Sequence, residues 1–263
     1  GCSIVHADQH GLYFRPGNNN QAIVVNDGGV AYCSNLLDAD ELLLFTENEG
    51  GMITTQFYRV AQSGTDFPGN DYIAGGTQDN GSYAIISSNN NQTAGTELTG
   101  GDGAETVFDQ VGGDYMLTNY IYNNSITRVG FDAGGAQENW WEWDDLSNSL
   151  SIPDGEGQFI NPGALDSNQD VYFCNAGNSL RVVKGLERGG TPSTFLIPSV
   201  VNPANGSDWI TAVEVSRHTT ETSTVFVGLK SGEVKKITNA NNNPGYTITS
   251  LYNQAGSVSD IHI

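Results

Sequence analysis

The sequence predicts an all-β fold, a β-propeller of four-stranded blades, on two observations. The first is a hairpin at 22–34, AIVVNDGGVAYCS, in which the turn NDGG separates two apolar runs. The second is recurrence: two apolar runs around a turn of Asn, Gly or Ser return at 72–86, 115–129, 171–183 and 224–237. A unit that repeats every ~50 residues is typical of propeller blades.

Each hairpin is flanked by two further runs of strand-forming residues. We expect leading strands at about 10–15, 54–61, 104–110, 158–165 and 210–216, and trailing strands at about 42–47, 96–99, 139–144, 193–198 and 246–252. The blades then span about 3–48, 53–100, 103–145, 157–199 and 209–253 of a single propeller domain or propeller fragment, residues 1–263. No window has a sustained helical period, so we expect little or no helix.

One extra strand is expected at the end of the chain, at 257–263. It either closes a small five-bladed ring by completing the first blade, or begins the next blade of a longer propeller. An open array would leave two apolar blade faces in water. We favour the larger propeller.

Charge and cysteine content exclude several classes of protein. The chain carries 30 acidic and 10 basic residues, a net charge of −20. Such a surface repels phosphate backbones and anionic lipids, so we expect no nucleic-acid partner, and no apolar run is long enough for membrane insertion. The cysteines, Cys2, Cys33 and Cys174, form no C-x-x-C motif, and we expect no disulfide between the last two because they lie in non-adjacent units.

Five phrases carry a resemblance to a known family: HADQH (6–10), NDGGV (26–30), TTQFYRV (54–60), GGTQDNG (75–81) and GGDG (100–103). In this order they resemble the secreted BNR/Asp-box propellers of Bacteroidetes, of the sortilin and xyloglucanase-like type. The chain departs from that pattern because it holds no intact S-x-D-x-G-x-T-W box; DAGGAQENW at 132–140 is the nearest sequence. The resemblance implies an extracellular or cell-surface protein exported by type IX secretion.

The resemblance is compatible with two functions. One is a non-catalytic binding, adhesion or scaffold module, whose partner is a polysaccharide or another extracellular protein. The alternative is a glycoside hydrolase acting on a xyloglucan-like polysaccharide. No pair of carboxylates is marked out as acid and base, and no G-x-S-x-G, P-loop or H-E-x-x-H motif occurs, so we predict no catalytic residue.

The first group of candidate ligand-binding residues is His6, Asp8 and His10. Alternate residues of a strand share one face, which would direct all three the same way. Their spacing of roughly 7 Å lets at most two reach one transition-metal ion. A hydrogen-bonded structural role is therefore favoured over a zinc site, and contact with a ligand is the third interpretation.

The second group is Asp27, Asp79 and Asp102, each in a Gly-rich turn. Turn aspartates commonly cap their own backbone. In a propeller, however, equivalent turns gather at one end, where the three carboxylates would form an acidic surface that binds calcium or another hard cation. No D-x-[DN]-x-[DN]-G loop marks a specific calcium site.

The remaining candidates are polar and aromatic. Gln56, Tyr58 and Gln78 stand at blade-defining positions beside Asp79 and are predicted ligand contacts that also hold blades together. The tryptophans at 140, 141 and 143 would alternate between the two faces of a strand. We expect at least one to be buried between blades, while an exposed ring would stack on a sugar.

Overall fold

The computed structural model describes residues 6–37, 46–47, 55–65, 67, 72–86, 95–131, 140–202 and 206–263. Within these residues the chain forms five four-stranded antiparallel sheets. The only helices in this part of the chain are a four-residue α-helix, α1 (Leu146–Ser149), and a three-residue 3₁₀ turn (Ile121–Asn123). The predicted all-β fold of propeller-like, four-stranded blades is confirmed.

Each sheet contains four consecutive strands in chain order. Sheet 1 contains β1 (Gln9–Arg15), β2 (Asn18–Asn26), β3 (Gly29–Cys33) and β4 (Thr46–Glu47). Sheet 2 contains β5 (Phe57–Gln62), β6 (Tyr72–Thr77), β7 (Gly81–Ile86) and β8 (Thr96–Thr99). Sheet 3 contains β9 (Gly103–Phe108), β10 (Tyr115–Tyr120), β11 (Ile126–Phe131) and β12 (Trp140–Asp145). Sheet 4 contains β13 (Gly163–Asp166), β14 (Val171–Ala176), β15 (Ser179–Lys184) and β16 (Ser193–Ile197). Sheet 5 contains β17 (Ile210–Val215), β18 (Val225–Leu229), β19 (Glu233–Thr238) and β20 (Thr247–Asn253).

The turn between the second and third strands of each sheet has the chemistry that the sequence indicated. In sheet 2, Thr77 pairs with Gly81, and the turn between them holds Asp79 at φ 60° before Gly81 at φ 82°. These left-handed conformations are open to Gly and tolerated by Asp or Asn, which explains why such residues recur between the apolar runs.

The apolar core lies between neighbouring sheets. Between sheets 2 and 3, the ring of Phe67 packs edge-on against three others, Tyr72, Phe108 and Phe131, with centroids 5.1 to 5.3 Å away. A second cluster, between sheets 3 and 4, contains Tyr115, Leu117, Tyr172 and Leu186. A third, between sheets 4 and 5, contains Phe173, Val182, Ile210 and Val227. Face-to-face burial of this kind explains why the second and third strands read as continuous apolar runs.

The first strands of sheets 2 to 5 adjoin one another: β5 contacts β9, β9 contacts β13, and β13 contacts β17. Each first strand begins beside the hairpin turn of its own sheet, as the pairing of Phe57 with Thr77 and of Gly103 with Tyr120 shows. We call this the hairpin end. The connections between first and second strands lie at the other end, the connection end.

The extra strand expected at 257–263 is not a strand in the structure. Its backbone makes one bond to sheet 5, from the N–H of Val258 to the carbonyl of Leu229 at 3.1 Å, and the Thr211 hydroxyl donates to the Val258 carbonyl at 2.5 Å. A strand needs a ladder of backbone bonds, and these two contacts do not form one.

Two further expectations concern cysteines and tryptophans. Cys33 and Cys174 are both free and buried, in agreement with the expectation of no disulfide between them, and burial raises the pKa of the Cys174 thiol to about 12. Residues 140, 141 and 143 lie on β12 as expected. Their side chains, and the DAGGAQEN portion of the box-like sequence, lie outside the described residues.

In the described part of the chain, no helix has the length and apolar character needed to cross a membrane.

Candidate functional site

The hairpin end brings most of the predicted site residues together. The His6 ring donates from Nε2 to the carbonyl of Asp79 at 2.7 Å, joining the start of sheet 1 to the hairpin of sheet 2. The Asn80 amide donates to the carbonyl of Asp27 at 3.1 Å. The backbone N–H of Asp79 donates to Oδ1 of Asp102 at 3.0 Å, which links sheet 2 to the loop before sheet 3. These hydrogen bonds fix the turns of successive sheets relative to one another.

His10 and Asp27 form the most exposed pair of this cluster. The Nε2 of His10 contacts Oδ1 of Asp27, and the His10 side chain is 60% exposed. The hydrogen bond to Asp27 and its charge raise the pKa of His10, and the charges of Asp8 and Asp79 add to the effect. The rise indicates a negative potential at the hairpin end.

Asp79 and Asp102 form the inner part of the cluster. Partial burial raises the pKa of Asp79, and the negative charges of Asp102 and Asp27 raise it further, against the opposing effects of His6 and Gln78. The same field reaches Tyr58, whose pKa rises mainly through desolvation and then through Asp102 and Asp79. One acidic field therefore acts on residues of sheets 1 and 2.

The expectation that His6, Asp8 and His10 share one strand face is wrong. Strand β1 begins at Gln9, so His6 and Asp8 precede it, and the register with β2 shifts between Gln9 and Gly11. The alternation that the prediction assumed does not extend across a strand start and a register shift. Asp8 instead donates its backbone N–H to Nδ1 of His6 at 3.3 Å, and its side chain is 67% exposed.

The polar candidates of sheet 2 differ in how they take part. Gln56 contributes its carbonyl, which accepts from the N–H of Gln78 at 2.9 Å. The Gln78 side chain, on the exposed surface, bonds to the carboxylate of Asp79. Tyr58 is half-buried and packs edge-to-face with Phe159, with centroids 5.8 Å apart. Tyr58 and Gln78 are therefore side chains of the site, whereas Gln56 supports it through its backbone.

No three His, Cys, Asp or Glu side chains in the described ranges are placed to hold a metal ion together. An oxygen of Asp27 already bonds to His10, and an oxygen of Asp102 already accepts the Asp79 N–H. Calcium binding through Asp27, Asp79 and Asp102 stays a prediction.

Sequence reasoning missed the aromatic part of this surface. Phe159 lies between Tyr58 and Tyr122, with its ring centroid 5.5 Å from that of Tyr122. Tyr122, in the 3₁₀ turn, is 44% exposed, and Phe159, in the loop before β13, is 41% exposed. Further along the same end, the ammonium of Lys230 lies 3.7 Å from the ring centroid of Trp209. The hairpin-end surface, as we use the term below, comprises Asp8, His10, Asp27, Tyr58, Asp79, Asp102, Tyr122 and Phe159.

A second set of charged residues, which was not predicted, lies where the first strands of sheets 2 to 5 adjoin one another. The guanidinium of Arg59 on β5 is 3.5 Å from the carboxylate of Glu105 on β9, and Glu105 is 13% exposed. Glu105 also accepts from the backbone N–H of Gly163 at the start of β13, so it joins three sheets. The sequence did place Glu105 on a predicted leading strand, 104–110, and in a propeller these strands adjoin one another. That position could have marked it as a candidate.

Burial raises the pKa of Glu105 to about 7, and Arg59 only partly opposes this. The folded chain therefore binds this proton more tightly than the unfolded chain. The resulting stabilisation is complete below the ordinary pKa of 4.5 and is lost as the pH rises through about 7. Glu105→Gln mimics the protonated acid. We expect the fall in the free energy of unfolding between about pH 4 and 8 to be smaller in this variant than in the wild type, by on the order of 2 kcal/mol.

Urea unfolding of the wild type and the variant across about pH 4 to 8 measures this difference. Glu97→Gln, an exposed change on β8, serves as the control and is expected to leave the pH profile unchanged. Parallel profiles for the wild type and Glu105→Gln would contradict the prediction.

No protein-family model and no curated protein sequence matches the chain. Similar solved structures include U3-55K, at 12% identity and a TM-score of 0.46 over 98% of this chain and 86% of that one. The WD40 repeats of RRP9 are 12% identical, with a TM-score of 0.45 over 98% and 84%. A functionally unknown protein from Desulfotomaculum acetoxidans DSM 771 is 13% identical, with a TM-score of 0.50 over 97% and 72%.

At such identities these similarities concern the fold alone. The five four-stranded antiparallel sheets define an all-β protein with propeller-like blades. The relationship to BNR/Asp-box propellers stays a prediction.

Proposed function

We propose that the chain is a non-catalytic binding module whose hairpin-end surface binds a positively charged partner protein. The observation that carries the proposal is the convergence of three carboxylates beside exposed aromatic rings: Asp27 and Asp79 from the hairpin turns of sheets 1 and 2, and Asp102 from the loop before sheet 3. Carboxylates and aromatic faces together are the groups that recognise Lys and Arg side chains.

The electrostatics support a cationic partner. The pKa values of His10, Asp79 and Tyr58 are all raised with a contribution from neighbouring carboxylates, so each reports the same negative potential. The net charge of −20 extends this field beyond the site and would accelerate the approach of a basic protein. The contact of Lys230 with Trp209 is an example, within the chain, of an ammonium group held on an aromatic ring.

The same contacts favour binding over catalysis. The side chains of His6, His10 and Asp102 are engaged in hydrogen bonds between and within the sheets. Such links pre-organise a surface, which lowers the entropic cost of binding. The sequence resemblance also implies secretion to the cell surface. Binding by the hairpin-end surface does not depend on that location, which stays a proposal.

We expect a short Lys/Arg-rich peptide to bind the wild-type chain, and binding to weaken as salt is added. Changing Asp27, Asp79 and Asp102 to Asn retains their size and their hydrogen-bond acceptors while removing the charges. This triple variant is expected to bind at least about tenfold more weakly. Phe159→Leu, which retains apolar volume without an aromatic face, is expected to weaken binding about threefold. Isothermal titration calorimetry measures each affinity.

The matched control removes three charges elsewhere, by changing Glu97, Glu187 and Glu221 to Gln. Glu97 lies on the outermost strand of sheet 2, and the other two lie in connections away from the hairpin turns. All three are exposed. Equal weakening in the control and the Asp-to-Asn variant would show attraction by net charge alone and would contradict a specific site.

The alternative function is polysaccharide hydrolysis, and one observation favours it. The pKa of Asp79 is raised by partial burial and by the neighbouring carboxylate of Asp102, and two carboxyl groups at one site are the groups that glycosidases use. Plant and algal polysaccharides incubated with the chain distinguish the two proposals. Release of reducing ends that is lost in Asp79→Asn would replace the binding-module proposal with a hydrolase, whereas peptide binding without turnover supports a binding module.

A further inference from the structure

A cavity of about 540 Å³ lies among the first strands of sheets 2 to 5, toward the connection end. A smaller cavity of about 160 Å³ adjoins it toward the hairpin end, and Gly163 and Glu214 line both. The larger volume falls within the range of small-molecule sites in proteins. This central cavity is separate from the hairpin-end surface.

The cavity is lined by apolar and polar residues in similar measure. Ala61, Val107, Leu165 and Val215 line the interior, one from each first strand. Gln110 and Arg217, both exposed, are among the lining residues at the connection end. Apolar side chains from all four first strands, beside polar groups, suit a ligand with an apolar body and one polar group.

Glu214 supplies the matching polar group. It is half-buried on β17 at the junction of the two cavities, and in the described part of the chain its carboxylate accepts no hydrogen bond. Burial raises its pKa, the charges of Arg217 and His262 oppose that rise, and Asp260 adds to it. A carboxylate that faces an open cavity and accepts no hydrogen bond from these protein groups can accept one from a ligand.

We propose that the central cavity binds a primary amine with an apolar body, with its ammonium group donating to Glu214. The body of the amine would lie against Val107 and Leu165, which line the cavity. The chain's net charge of −20 favours a cation over an anion at this site. The amine is either a free small molecule or a Lys side chain of another protein, because both present the same alkylammonium group.

Neighbouring Glu105 does not compete for this role. Its carboxylate is paired with Arg59 and accepts from the backbone N–H groups of Thr106 and Gly163. The two carboxylates differ in their hydrogen-bond partners. Glu105 is bonded to protein groups on three sheets, while Glu214 faces the cavity. The proposal therefore assigns ligand binding to Glu214 alone.

The test uses phenethylamine as the probe, with phenethyl alcohol as its neutral counterpart of the same shape. Saturation-transfer NMR and calorimetry on the wild-type chain are expected to show amine binding at least about tenfold tighter than alcohol binding, since a charge-assisted hydrogen bond is lost with the alcohol. Glu214→Gln is expected to remove this preference. Glu221→Gln, an exposed change at the connection end, is expected to retain it.

A peptide whose only amine is one Lys side chain distinguishes the two sources of the ligand. Competition between this peptide and phenethylamine in the wild type, lost in Glu214→Gln, would identify a Lys side chain as a ligand, and phenethylamine binding alone would identify a free amine. Equal binding of amine and alcohol, or equal amine binding by the wild type and a folded Glu214→Gln, would overturn the proposal. Because the triple Asn variant of the hairpin-end surface retains Glu214, unchanged amine binding by it separates this proposal from the proposed function.

Discussion

Replacing Glu156 by Gln is expected to lower the free energy of unfolding by about 3 kcal/mol or more, because it leaves the guanidinium of Arg181 buried without a counter-charge. Arg181 on β15 is only 6% exposed. It pairs with Glu156 through two hydrogen bonds, one from Nε to Oε1 and one from Nη2 to Oε2 at 2.5 Å. Two parallel bonds of this kind are the strongest arrangement of these groups.

The pair also joins two sheets. The Asn123 amide, in the 3₁₀ turn of sheet 3, donates to Oε1 of Glu156 at 3.2 Å, and Nη1 of Arg181 donates to Thr194 on β16 at 3.0 Å. Glu156 itself lies in the loop that leads into sheet 4. Its loss is therefore expected to weaken the contact between sheets 3 and 4 as well as the pair itself.

Denaturant unfolding of the single variants and of Glu156→Gln combined with Arg181→Met measures this effect. The double variant is expected to recover part of the loss, because removing both charges leaves neither one buried alone. Glu233→Gln is the control, since its partner Lys235 retains a hydrogen bond to the carbonyl of Val200 at 2.6 Å. A single-variant loss no larger than that of the control would contradict the prediction.

Turn chemistry made most of the fold predictable from the sequence. A residue such as Asp79 or Gly81 is chosen by its own backbone conformation, which is a local property that recurs in every unit. The start of β13 was less predictable: the strand was expected from 158 but begins at Gly163. The preceding residues are held as a loop by distant partners, since Gly157 donates to the carbonyl of Tyr122 and Asn161 to that of Asn175. No local pattern encodes those contacts.

In the candidate site, too, the residues in turns were predicted and those placed by distant contacts were not. Asp27, Asp79 and Asp102 were predicted as one surface because each lies in a Gly-rich turn and equivalent turns of a repeat meet in space. Only Asp27 and Asp79 lie in equivalent hairpin turns, whereas Asp102 lies in the loop between β8 and β9. Phe159 was not predicted, because it lies in the irregular loop before β13. For Glu214, alternation along β17 gives its side of the strand, but only the neighbouring sheets determine whether that side is filled or faces a cavity.

The glycines of two sequence phrases now have a packing explanation. Gly76 on β6 and Gly103 on β9 belong to GGTQDNG and GGDG. A methyl group at Gly76 would overlap backbone atoms of Gly103 and Ala104, and one at Gly103 would lie 2.8 Å from the Cα of Gly76. Sheets 2 and 3 therefore approach so closely here that neither position has room for a side chain.

We expect Gly76→Ala to destabilise the chain by about 3 kcal/mol, because the overlapping atoms are backbone and cannot move aside as a flexible side chain would. The same change also lowers the conformational entropy of the unfolded chain, which by itself favours folding by about 0.4 to 1 kcal/mol. Gly206→Ala isolates that contribution, since a methyl there would meet no atom of the described residues within 4 Å. Its stability is expected to equal or slightly exceed that of the wild type in the same urea titration. If Gly76→Ala matched Gly206→Ala, the close approach of β6 and β9 would not be a property of the folded chain in solution.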